Sequence, residues 1–106
     1  MSDLERQLES LSAAGINLIP AAEVTSHFIL ERDGFLILVE RTEEGFGNIG
    51  SPGLLTEHGF AALVWRDSQP FFIAKRFEQA ATEQQVEAAR QFAHAVETCL
   101  HRYSSM

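Results

Sequence analysis

His27 and Glu40 are the pair in this 106-residue chain whose residue types and placement come nearest to acid–base equipment. They bracket the run Val24 to Arg41, in which Asp33-Gly34 supplies two residues that tolerate positive φ, the requirement of a type I′ turn. A two-residue turn sets Arg32 against Phe35, and counting outward brings His27 directly opposite Glu40. An imidazole there could act as acid or base with the carboxylate orienting it, or the two could make a plain contact at the solvent edge. Phe46, Asn48 and His58 follow in or just after a glycine-rich connector, Gly45 to Gly53. Together the five residues are the candidates for a ligand pocket between that connector and the sheet. The chain offers no nucleophile with a recognisable base beside it.

Other chemistry-bearing patterns are weaker. Gly45-Phe46-Gly47-Asn48-Ile49-Gly50 has the spacing of a dinucleotide-binding loop, with Asp67 at a suitable distance for a ribose contact. Such glycines must end a parallel strand and open a long helix, whereas Ser51-Pro52-Gly53 follows here and Asp67 falls on an expected turn. His94, Glu97 and His101 fall in a row on the polar face of the last helix, but one element is a poor source for a whole metal site. A solvated face explains them, so no metal and no cofactor is expected. His58 reads first as a partner for a helix dipole. Cys99 lies among apolar helix positions and reads as a small buried hydrophobe.

These residues need elements to position them. Ser2 and Glu5 form a capping-box pattern, and the spacing of Leu4, Leu8 and Leu11 predicts a helix from about Asp3 to Ala14, ended by Gly15. Ile16, Leu18 and Ile19 are short apolar anchors before Pro20. The first hairpin has one apolar face, Phe28, Leu30, Phe35, Ile37 and Val39, and a second carrying Ile29, Leu36 and Leu38 beside Glu31, His27 and Glu40. The connector reads as a long loop, with Ser51 and Pro52 starting a short helix over residues 52–58. A second hairpin is expected over Phe60–Arg66 and Phe71–Arg76, turning at Asp67-Ser68-Gln69, and pairing Trp65 with Pro70 leaves both its faces apolar. Thr82 and Gln85 form another capping box, opening a helix from Glu83 to about Arg102.

The expected fold is α+β: a mostly antiparallel sheet of four to five strands built from two hairpins, flanked by an N-terminal and a long C-terminal helix. Length supports one domain over residues 1–106. A formal charge of −7 without a lysine or arginine cluster argues against nucleic acid. No apolar run approaches the ~20 residues of a membrane span, and no secretory signal opens the chain, so no membrane association and a cytoplasmic location are expected. Two helices can cover one side of the sheet. The other, with Ile29, Leu36 and Leu38, calls for a second copy or a protein partner. The expectation is an acidic interaction or adaptor module acting as a homodimer, with the connector pocket as the alternative. By layout it resembles small sheet-and-helix scaffolds such as bacterial secretion chaperones and roadblock-type regulators.

Overall fold

Alternation of β-branched and aromatic residues with tight-turn pairs produces a sheet here, and two amphipathic segments produce its cover. A computed structural model describes residues 3–20, 25–57 and 59–100. In chain order these form α1 (Asp3–Ala13), β1 (Asn17–Ile19), β2 (His27–Arg32), β3 (Phe35–Thr42), β4 (Gly45–Ile49), β5 (Gly53–Thr56), β6 (Gly59–Arg66), β7 (Gln69–Ala74), β8 (Phe77–Ala80) and α2 (Glu83–Leu100). All strand pairings are antiparallel. The order is β1-β2-β3-β5-β6-β7-β8, with β4 also on β3. The fold is therefore the expected α+β class, with an eight-stranded sheet in place of four or five strands.

Both hairpin registers match the sequence reading. Arg32 pairs with Phe35 and His27 with Glu40; Trp65 pairs with Pro70. Asp33 and Gly34 have φ of 54° and 88°, and Asp67 and Ser68 have φ of 51° and 65°, so both turns place two consecutive residues in the left-handed region. The second turn is two residues long, and Gln69 already belongs to β7.

The connector is where expectation and structure part. Residues 45–49 are a strand, and the expected short helix over residues 52–58 is instead β5, followed by the turn into β6. Ser51 and Pro52 offer a helix start, but the backbone finds better partners in the sheet: Leu55 N–H donates to Gly34 O, and Leu63 N–H donates to Pro52 O. β4 and β5 run consecutively along one edge of β3, Ile49 opposite Val39 and Gly53 opposite Leu36. Ile16 is buried as an anchor should be, whereas Leu18 and Ile19 belong to an exposed edge strand. Lys75-Arg76 is a further tight turn, because β8 returns along β7 with Phe77 opposite Ala74.

The core lies between one sheet face and the helices. Leu30, Ile37, Val39, Ala61 and Phe72 contribute from strands, and Ala89, Phe92, Val96 and Leu100 from α2. Thr82 and Gln85 make the reciprocal capping box: Gln85 N–H donates to Thr82 Oγ1 at 3.1 Å, and Thr82 N–H donates to Gln85 Oε1 at 2.9 Å. At the other end Gln7 of α1 donates to the Leu100 carbonyl, filling an acceptor the helix terminus leaves open. Leu11 is buried, Leu4 packs on the core, and Leu8 remains 36% exposed. Ser2, the expected first cap, lies outside the described residues.

Candidate functional site

Cross-strand partners share a sheet face. The register therefore assigns Ile19, Ile29, Leu36, Leu38, Leu55 and Phe60, with Ala62, Val64, Phe71 and Ile73, to the face away from the core. Leu36 is buried yet stands outside the core cluster, which marks it as packed on this second side. Leu55 is 56% exposed and Val64 39%. Neither helix reaches this face, since the buried residues of α2 join the core formed with Leu30, Ile37 and Phe72.

Gly53 lies near the centre of this face for a steric reason. A Cβ there would fall 2.5 Å from Phe60 Cε2 and from the Ala61 carbonyl oxygen. The Phe60 ring thus covers the strand backbone where a side chain would otherwise stand. Polar groups are at the margins. Glu31 accepts from Asn17 Nδ2 and from Gly34 N–H, which together hold its carboxyl below the ordinary value, the Gly34 bond contributing most. At the far end Arg66 pairs with Glu78.

Three of the five pocket candidates meet. His27, Glu40 and Asn48 line an open depression of about 350 Å³ whose apolar wall includes Leu38, Phe60 and Ala62. His27 and Glu40, opposite each other across the strands, make no hydrogen bond or ion pair with one another there. His27 Nδ1 lies 2.7 Å from Ser26 Oγ, and Glu40 leans over β4, where a Cβ on Gly47 would be 2.9 Å from Glu40 Oε1. Phe46 belongs elsewhere: it is 2% exposed, on the core side, with its ring 4.4 Å from that of Phe28. Being an inward-facing strand residue, it cannot line the depression. His58 lies outside the described residues.

The three interface candidates, Ile29, Leu36 and Leu38, occupy the helix-free face together. Sequence reasoning set Ile73 on an apolar face of the second hairpin with Ala62, Val64 and Phe71, but left out Leu55 and Phe60, although the alternation in β5 and β6 carried the signal once residues 53–56 are read as a strand. His94 is exposed on α2, and among the described residues no group of three His, Cys, Asp or Glu is placed to hold a metal ion. No described helix is long and apolar enough to cross a membrane. Cys99 is half-buried, and loss of hydration raises its thiol pKa while the charge of Arg32 opposes the rise.

No protein-family model matches the chain, and searches of curated proteins and of solved structures return no significant match.

Proposed function

We propose that this protein is a recognition module that acts as a homodimer, with the helix-free sheet face as the surface between the two copies. One observation carries the reading: apolar side chains of β1, β2, β3, β5, β6 and β7 line one face that, among the described residues, no other element covers. Six neighbouring strands, each about 4.8 Å wide, span roughly 30 Å, and strands of about six residues run roughly 20 Å, giving a flat area on the order of 600 Å². A standard interface needs about 800 Å² per partner, and side-chain relief brings the face near that size. A second copy is the occupant that fits its composition. The acid excess of the chain is kept off the centre, and Arg66 with Glu78 leaves one margin locally neutral. Twofold packing can then bury apolar surface against its own equivalent without trapping like charges.

Light scattering at micromolar concentration tests this with the double variant Leu55→Glu/Val64→Glu. Both positions are exposed in the single chain, so the monomer should fold with little loss. The parent should have the mass of a dimer and the variant that of a monomer. A monomeric parent defeats the proposal.

Convergence of His27, Glu40 and Asn48 around one depression favours a second reading, a small-ligand site on the same face. A thermal-shift screen of parent and His27→Ala against nucleotides, metals and metabolites separates the two readings. A shift present in the parent and lost in the variant supports the ligand site.

A further inference from the structure

Trp65 is the single tryptophan of the chain and 55% of it is exposed, although its strand position faces the helix side of the sheet. The reason is geometric. The buried residues of α2 begin at Ala89, so the first turns of the helix bring no large apolar side chain over the tip of the β6–β7 hairpin. What remains is a groove of about 470 Å³, walled by Trp65, Pro70 and Val86 and rimmed by Glu83, Glu87 and Arg90. Glu87 already has two long, exposed contacts, Arg90 at 3.4 Å and Gln91 at 3.3 Å. Among the described residues the Glu83 carboxylate has no ion-pair or hydrogen-bond partner.

We propose that this groove binds a basic side chain, arginine foremost, from an extended segment of a partner protein. An indole face is the best aromatic surface for a cation, and a planar guanidinium can lie on it while its N–H groups turn toward carboxylates at the rim. Glu83 and Glu87 supply those acceptors, and the stem of the incoming side chain meets Pro70 and Val86. Charge complementarity also holds over a longer range, since the chain carries a net charge of −7. Because the groove opens on the helix side, it stays free when the opposite sheet face is covered. It rests on a different observation from self-association and stands or falls separately.

The same tryptophan reports the test. A capped Gly-Arg-Gly-Arg-Gly peptide is titrated into the protein while Trp65 emission is followed, with calorimetry as a second readout. The parent should show a saturable change, and the analogue with citrulline in place of arginine should show none. Glu83→Gln/Glu87→Gln should weaken binding about tenfold, each exposed contact being worth roughly a two- to fivefold factor. Glu43→Gln/Glu44→Gln, which removes two carboxylates at the β3–β4 turn, should leave it within about twofold. In calorimetry Trp65→Leu should abolish binding without lowering the melting temperature, because the side chain is exposed. No saturation with the arginine peptide, equal binding of the citrulline analogue, equal loss in the Glu43/Glu44 control, or full affinity in Trp65→Leu would each overturn the proposal.

Discussion

Phe71 and Phe72 are chain neighbours on opposite faces of one strand, and replacing each by alanine separates the two kinds of burial the sheet provides. Phe72 is 0% exposed, beneath the helices, with its ring centroid 6.3 Å from that of Phe35. Phe72→Ala leaves a cavity in a packed core and should cost about 3–5 kcal/mol. At about 4–8 °C per kcal/mol for a domain of this size, melting should fall by roughly 12–40 °C at every protein concentration. Phe71 is half-buried on the other face, with Arg66 over its ring at 5.6 Å. Phe71→Ala should cost the isolated chain about 1 kcal/mol or less. In a twofold dimer the lost contact counts twice, so about 1 kcal/mol per copy weakens association roughly thirtyfold. Urea unfolding over a hundredfold range of concentration reads both terms. Equal, concentration-independent losses in the two variants would refute the assignment of faces, and so would a Phe71→Ala protein that self-associates as the parent does.

Three further outcomes follow from local geometry. Thr82→Ala removes one half of the capping box at the start of α2 and should destabilise by about 1 kcal/mol, visible as a few degrees in a thermal melt. Glu31 has its carboxyl lowered from 4.5 by the Gly34 N–H first and the Asn17 amide second. A lowered folded pKa stabilises above the ordinary value and is lost as pH falls through the lowered one. Between about pH 6 and about pH 3 the parent should therefore lose slightly more stability than Glu31→Gln, as urea titrations at the two pH values would show. The raised pKa of Cys99 leaves less thiolate near neutrality, so iodoacetamide should modify it more slowly than a free cysteine and at the ordinary rate once urea unfolds the chain. Mass spectrometry would follow the adduct.

Sequence revealed the hairpins because a two-residue turn and strict alternation leave one register consistent with a buried face. Arg32 against Phe35, His27 against Glu40 and Trp65 against Pro70 all come from that logic. The long helix was equally legible, its start fixed by Thr82 and Gln85 and its inner stripe by Ala89, Val96 and Leu100. The middle was not, because glycine and proline mark loops as readily as they mark a strand under steric pressure. Gly53 occurs in β5 since Phe60 and the Ala61 carbonyl leave no room for a Cβ, a fact of tertiary packing that local propensity cannot express. A repeated signal was nevertheless present: Thr42-Glu-Glu-Gly45 and Thr56-Glu-His-Gly59 have the same form. In each the threonine hydroxyl donates to the carbonyl of the glycine three residues on, and that glycine has positive φ, 117° and 96°. Reading those as reversals would have divided the connector into strands. It would also have turned Phe46 inward, away from the depression lined by His27, Glu40 and Asn48.

The most direct test of the self-association claim is a search for methyl contacts between copies in an equal mixture of isotope-labelled and unlabelled protein. Methyl groups of Ile29, Leu38, Leu55 and Ile73 should show contacts between labelled and unlabelled copies, while those of Leu30, Ile37 and Leu100 on the helix-covered face show none. No contact between copies, or contacts confined to the helices, would contradict it.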